Sequence, residues 1–169
     1  MTNPVPDAKI EAMKHLWAPW RIKYIEKGID KGCILCEKPS EGKDEENLIL
    51  YRGEKNFVLM NLYPYNAGHL MVAPYRHTAA IDELTEEERN EHFALVSRGV
   101  GVLKKVMKPE GFNIGLNCGR VAGAGVDKHI HTHIVPRWKG DTNFMPVIGD
   151  TNVVNEALAD TYKKLRKEF

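Results

Sequence analysis

Apolar and polar residues alternate in five short runs along the chain, which is the spacing typical of β-strands. The runs 47–53 and 57–62 follow each other closely around Gly53, and this predicts a hairpin. A third strand is predicted at 69–73, and a fourth at 112–118. The fifth is the run from His129 to Arg137.

A helix is predicted between the third and fourth strands. Thr85 is the expected N-cap, and Glu88 three residues later completes a capping box. The helix should continue to about Lys108, because Pro109 then ends it.

The spacing of apolar residues also predicts which face of this helix is buried. His92 is expected on the surface. A second amphipathic helix is predicted over 152–167, with a basic end. The residues expected to face the core from the first helix are Phe93, Val96, Val100 and Leu103.

This order of elements predicts an α+β fold, in which a five-stranded antiparallel sheet carries one long helix and one C-terminal helix. The 169 residues suit one domain. We expect residues 1–15 to form a flexible arm and residues 16–169 to form the domain. Trp17 and Trp20 are expected to pin the arm by burying apolar area, and base stacking is their alternative role.

Composition and charge exclude several classes of function. A net charge of +1 gives no bulk attraction to nucleic acid or to a membrane surface. No apolar run has the length of a transmembrane helix, and the first residues lack the regions of a signal peptide. Three cysteines do not suggest a secreted disulfide framework, so a cytoplasmic location is expected.

The fifth predicted strand carries the chain's most distinctive pattern, three histidines at alternate positions. The alternation places His129, His131 and His133 on one face and Ile130, Thr132 and Ile134 on the other. Same-face neighbours lie about 6.5–7 Å apart, so three in a row converge poorly on one metal ion. Separate roles for the three rings are therefore expected.

Two further segments have chemical potential but are ambiguous alone. Cys33 and Cys36 form a CxxC pair before a charged loop, 37–46, and fit zinc binding or two reduced core thiols better than redox chemistry. Zinc would need two more ligands, commonly cysteine or histidine. The glycine-rich segment 119–128 is either a flexible connection or an anion cradle of backbone amides. It matches neither a P-loop nor a dinucleotide fingerprint.

Several motifs together resemble one known family. The run 129–135 fits the pattern His-x-His-x-His-x-x, and 61–77 resembles an upstream Asn…Pro…Gly-His segment. Residues 16–21 and the CxxC pair resemble the start of the proteins in that family's bacterial diadenosine-polyphosphate branch. The chain is thereby similar, over about residues 16–143, to the histidine triad (HIT) nucleotide hydrolases and transferases.

The resemblance implies a HIT-like fold, a homodimer and cleavage of a dinucleoside polyphosphate. His131 would attack the α-phosphorus to form a nucleotidyl-histidine, and water or phosphate would then accept the nucleotide. His133 would contact the phosphate and assist the leaving group. The other implied substrate contacts are Asn61 at the ribose, His69 beside the row, Asn117, and the backbone of Gly123, Ala124, Gly125 and Val126.

The resemblance also implies structural zinc, with His77 and His129 completing the set begun by Cys33 and Cys36. One departure is that Ala124-Gly125-Val126 stands where many members place glutamine, or glutamine followed by serine or threonine. Direct transfer of phosphoramidase chemistry is therefore not supported. The alternatives are a nucleotide-binding zinc module without turnover, or a phosphoramidase or nucleotidyltransferase.

Overall fold

The computed structural model describes residues 32–141 and 156–169. The expected arm at 1–15, the Trp17–Trp20 segment and residues 152–155 of the predicted last helix lie outside the described residues. No helix in the described ranges is long and apolar enough to cross a membrane.

The five predicted strands are confirmed and form one antiparallel sheet. Its order is β1-β2-β3-β5-β4, so the last strand inserts between the third and the fourth. The register sets Val72 of β3 opposite Thr132 of β5, and Met71 opposite His133. The bounds are β1 Ile49–Arg52, β2 Asn56–Met60, β3 Leu70–Pro74, β4 Gly111–Leu116 and β5 Thr132–Arg137.

Three α-helices are found in the described residues: α1 Ile34–Ser40, α2 Glu86–Met107 and α3 Leu158–Arg166. The first is a correction, because a loop was expected to begin at Glu37. The backbone amides of Cys36 and Glu37 donate to the carbonyl of Cys33, at 2.9 Å each, and these bonds form the first turn.

The start of α2 is as predicted. Thr85 Oγ1 accepts from the amide of Glu88 at 3.2 Å, and Glu88 Oε2 accepts from the amide of Thr85 at 2.8 Å. Arg76 also binds the Glu88 carboxylate through two nitrogens, at 2.7 and 2.8 Å. The helix ends at Lys108, whose φ of 49° is left-handed.

The buried face of α2 differs from the prediction at Phe93 and His92. Phe93 is 75% exposed, whereas His92 is only 9% exposed. Gly99 allows the close approach of this helix to the sheet, because a Cβ there would lie 3.0 Å from Ile134 Cδ1. The predicted burial of Val96 and Leu103 is confirmed, and both pack in the core with Leu95 and Val102, while Val100 is half-buried against the same cluster.

The two faces of the sheet are covered differently. Val72 and Ile134 point to the side of α2 and α3. Phe57 and Met71 point to the opposite side, where Leu35 of α1 packs on them. Because His133 lies opposite Met71 in the register, its side chain is on the α1 side of the sheet.

Candidate active site and metal centre

The three histidines of the row lie where the last strand begins. β5 starts only at Thr132, so His129 and His131 belong to the segment that leads into it, which corrects the expected strand. The alternation persists, because the rings of His131 and His133 contact each other at a centroid distance of 4.8 Å.

The tautomer of His131 is set by the main chain. Its Nδ1 lies 2.8 Å from the carbonyl oxygen of His129. A carbonyl oxygen only accepts, so Nδ1 carries the proton and Nε2 carries the lone pair. Burial lowers the pKa of His131. The ring is thus a neutral imidazole at neutral pH.

His69 and His133 form a directed pair. The backbone amide of Tyr65 donates to His69 Nδ1 at 3.1 Å, so the His69 proton is on Nε2. That nitrogen lies 2.9 Å from His133 Nδ1 and donates to it. A neutral His133 therefore holds its own proton on Nε2. Burial, followed by repulsion from His133 and His131, lowers the pKa of His69 to about 3.

The turn between β2 and β3 holds this pair in place. The Asn61 amide donates to the carbonyl of His69 at 2.9 Å, and Asn61 Oδ1 accepts from the amide of Tyr63 at 2.9 Å. The Tyr65 ring packs on His69 at 4.6 Å and on His133 at 5.8 Å. Sequence reasoning missed Tyr65, although it stands four residues before His69.

Four thiol and imidazole groups cluster on the α1 side of the sheet. They belong to Cys33, Cys36, His77 and His129, and their ligand atoms all lie within 4.8 Å of one another. His129 Nδ1 is 3.2 Å from Cys33 Sγ and 3.4 Å from Cys36 Sγ. Tetrahedral zinc sets its ligand atoms about 3.3–3.8 Å apart, so this Cys₂His₂ set fits a zinc ion.

Hydrogen bonds around the cluster orient its histidines. His129 Nε2 donates to the carbonyl of Pro74 at 2.9 Å, which leaves Nδ1 as the metal-binding nitrogen. The amide of Ile130 donates to the carbonyl of Thr78 at 2.7 Å and holds the residues after His77 and His129 together.

A redox role for the CxxC pair is not favoured by its surroundings. Burial, and then the neighbouring Cys33, raises the pKa of the Cys36 thiol to about 11. Redox-active cysteines have a lowered thiol pKa.

The glycine-rich loop contains a 3₁₀ turn at Arg120–Ala122. The amide of Gly123 donates to Arg120 O at 3.0 Å, and that of Ala124 to Gly119 O at 3.4 Å. These amides are already engaged within the loop. Asn117 Nδ2 lies 3.5 Å from Gly123 O, at the far limit of a hydrogen bond.

His92 is the clearest difference between sequence and site. It is buried beneath the row, where Nε2 lies 2.7 Å from Thr132 Oγ1 and Nδ1 lies 2.9 Å from Asn56 Oδ1. The only sequence signal was its place next to the apolar stripe of α2.

Comparison with known proteins is consistent with this geometry. The family model described as HIT domain matches residues 43–140. The AP-4-A phosphorylase of Mycobacterium tuberculosis is 38% identical over 167 residues, covering 94% of this chain and 86% of that protein.

A bis(5'-adenosyl)-triphosphatase of Dictyostelium discoideum is 30% identical over 120 residues, covering 71% of this chain and 79% of that protein. Among solved structures, a hypothetical histidine triad nucleotide-binding protein of Sulfolobus tokodaii superposes with a TM-score of 0.63 at 26% identity. It covers 80% of this chain and 91% of that one.

Proposed function

The chain belongs to the HIT-domain family, and we propose from this that it cleaves a dinucleoside polyphosphate such as diadenosine tetraphosphate. Two relatives that match most of the chain are named for such substrates, one as a phosphorylase and one as a triphosphatase. The proposed reaction transfers a nucleotidyl group through His131 to an acceptor.

The observation that carries the proposal is the bond from His131 Nδ1 to the carbonyl of His129, at 2.8 Å. It keeps the Nε2 lone pair available on a neutral ring, as a nucleophile requires. In the first step Nε2 forms a bond to the α-phosphorus, and the anhydride P–O bond breaks with its electron pair on the leaving oxygen. The product on the enzyme is a nucleotidyl-His131.

His133 is proposed to stabilise the leaving group. Its Nε2–H, fixed by the donor His69, would donate a hydrogen bond to the leaving oxygen. A nucleoside polyphosphate is a weak base, since the second pKa of a phosphate monoester is about 6, so the leaving oxygen does not need to be fully protonated.

The glycine-rich loop is proposed to bind the α-phosphate. The amides of Gly125 and Val126 are assigned this role, because those of Gly123 and Ala124 donate within the loop. Asn61 and Asn117 remain proposed contacts to the nucleotide.

Inorganic phosphate is the proposed acceptor, because the relative that is 38% identical over most of the chain is named a phosphorylase. Attack by a phosphate oxygen on the α-phosphorus breaks the N–P bond and returns its electron pair to Nε2. The products from diadenosine tetraphosphate would be ADP and ATP. Water in the same place would give AMP and ATP.

A structural zinc ion held by Cys33, Cys36, His77 and His129 is also proposed, because the set fits a closed tetrahedral site. When bound, such an ion would stabilise the fold around α1 and take no part in the reaction. Elemental analysis should find close to one zinc per chain, and less than about half an equivalent in metal-replete protein would contradict this.

We propose a homodimer in which β4 contributes to the interface. β4 is an edge strand of the described sheet, and Ile114 at its centre is 49% exposed. An exposed edge of this kind pairs readily with another chain.

We also propose a cytoplasmic location. None of the three cysteines forms a disulfide bond in the structure, as is typical of proteins of the reducing cytoplasm.

The test is to incubate the protein with diadenosine tetraphosphate, with and without phosphate, and to identify the products. The wild type should release ADP with phosphate, and acid-sensitive label from [α-³²P]-substrate should attach to it. His131→Asn should remove the label and lower kcat at least about 1,000-fold, roughly 4 kcal/mol.

AMP affinity is the matched control, because the phosphate and ribose contacts are proposed to lie elsewhere. It should change by no more than about tenfold in His131→Asn. Near-wild-type turnover in this variant would exclude His131 as nucleophile. Tight AMP binding by a wild type that turns over no dinucleotide would favour the alternative, a nucleotide-binding zinc module.

A further inference from the structure

A continuous hydrogen-bonded chain lies under the histidine row on the α2 side of the sheet. Glu91 Oε2 accepts from Asn56 Nδ2 at 3.0 Å, and Asn56 Oδ1 lies 2.9 Å from His92 Nδ1. His92 Nε2 in turn lies 2.7 Å from Thr132 Oγ1. The chain thus joins the β1–β2 turn and α2 to the first residue of β5.

The donor of each hydrogen bond between Glu91, Asn56, His92 and Thr132 can be assigned. Asn56 Nδ2 donates to Glu91 Oε2 and, at 3.1 Å, to the carbonyl of Glu88, so Asn56 Oδ1 must accept from His92 Nδ1–H. His92 Nε2 is then an acceptor, and the Thr132 hydroxyl is its donor. Burial, followed by repulsion from His131, lowers the pKa of His92 to about 4, so the ring remains neutral at pH 7.

At the other end of this series of hydrogen bonds, Glu91 is held by the backbone of the β1–β2 turn. The Glu91 carboxylate accepts from the amides of Glu54 at 2.6 Å, and of Lys55 and Asn56 at 2.7 Å each. Asn56 is fully buried. Because the Glu91 carboxylate and the Asn56 side chain have all these hydrogen bonds, they hold His92 in a fixed position relative to the β1–β2 turn.

The position of Thr132 gives this chain its importance. It stands between His131 and His133 in the sequence, and its side chain leaves the sheet on the opposite side from theirs. The hydrogen bond to His92 restrains Thr132, and it therefore also restrains the backbone segment from which both rings project. A packing role alone would be met by an apolar residue, whereas burying histidine and asparagine requires every polar atom to be paired.

We propose that His92, anchored by Asn56, is a positioning residue for nucleotidyl transfer, acting through Thr132 to fix the relative orientation of His131 and His133. This inference rests on the proposed function of the row. Misplacing reacting groups by about 1 Å costs about 100-fold in rate. Loss of the Thr132–His92 bond should therefore lower kcat and leave substrate affinity nearly unchanged.

The central experiment compares three threonine variants in the full-length protein. Thr132→Val keeps the shape and removes the hydroxyl, and it should lower kcat for diadenosine tetraphosphate about 10- to 100-fold with KM within about threefold. Thr132→Ser restores the donor and should stay within about threefold of wild type in both constants. The matched control is Thr161→Val on α3.

Thr161 is also buried, at 3% exposure, and its hydroxyl donates to Glu156 at 2.8 Å. Its loss should reduce stability but leave kcat within about twofold of wild type, because α3 does not hold the row. A folded Thr132→Val protein with wild-type kcat would overturn the proposal. So would a Thr132→Ser protein as slow as Thr132→Val, because the presence of the hydroxyl would then make no difference to the rate.

A double-mutant cycle tests whether His92 and Thr132 act as one unit. His92→Leu alone should lower kcat as much as Thr132→Val, and the double variant should be no slower than either. Losses that multiply would show independent effects and would overturn the proposal.

A spectroscopic measurement separates this inference from the proposed function. The side-chain ¹⁵N resonances of His131 should shift in Thr132→Val and remain unchanged in Thr161→Val, whatever the activity. Unshifted resonances in Thr132→Val would overturn the inference alone. A wild type that binds nucleotides but never turns over a dinucleotide would overturn only the proposed function.

Discussion

Replacing His69 tests the directed pair that holds His133. The ring has two separate roles, since Nδ1 accepts from the amide of Tyr65 at 3.1 Å and Nε2 donates to His133 at 2.9 Å. An asparagine places its oxygen close to the position of Nδ1, so it keeps the first role and loses the second. A glutamine reaches the position of Nε2 with its NH₂ group and keeps the donor.

The magnitude follows from the burial of this contact. His69 is 1% exposed, so a lost partner is not replaced by bulk water. Leaving one buried acceptor unpaired costs about 1–3 kcal/mol. If the cost falls on the transition state, kcat in His69→Asn drops about 5- to 150-fold, because about 1.4 kcal/mol is tenfold.

The assay is steady-state turnover of diadenosine tetraphosphate in excess phosphate, with nucleotides separated by anion exchange. His69→Gln is the matched control and should keep kcat within about fivefold of wild type. Equal kcat values in His69→Asn and wild type, with both proteins folded, would refute the assigned direction of the bond. Equal losses in both variants would show that ring shape matters rather than the donor.

Three other predictions concern stability and assembly. Ile134→Asp should reduce the free energy of unfolding by about 3–5 kcal/mol in urea titrations, because Ile134 is fully buried against α2; an unchanged transition would contradict this placement. The unfolded state protonates His92 near pH 6.5 and the folded state only near pH 4, so His92 alone contributes up to about 3 kcal/mol to the acid destabilisation of the wild type across this window. In His92→Gln, the free energy of unfolding should fall less steeply with decreasing pH, by a slope that corresponds to about one proton. Equal slopes in the two proteins would be evidence against a neutral buried His92. Light scattering should give a dimer for the wild type and a smaller mass for Ile114→Lys, whereas a monomeric wild type would exclude the β4 interface.

The parts of the fold that the sequence predicted correctly depend on local patterns. The strands follow from alternation, and the start of α2 follows from a capping box that lies within four residues. The burial of His92 depends instead on Asn56, which is 36 positions away and meets it only in the folded sheet. Choosing Phe93 and passing over Leu95 and Val102 turned the expected face of α2 towards solvent, although Val96 and Leu103 were placed correctly.

The same distinction applies to the site. The spacing argument predicted that the three rings would not converge, and His129 lies in the cysteine and histidine cluster while His131 and His133 contact each other. The tautomers could not be predicted, since they depend on single acceptors such as Pro74 O and His129 O. The helix at Ile34–Ser40 was missed because it has only seven residues and its second half lies in a charged run.

His129 serves both the proposed zinc site and the proposed active site, but through different atoms. Its imidazole is the proposed zinc ligand, whereas the oxygen that orients His131 is part of the peptide backbone. Any amino acid at this position supplies that oxygen. Evolution can therefore discard the zinc ion by changing one side chain without removing the acceptor that holds the nucleophile.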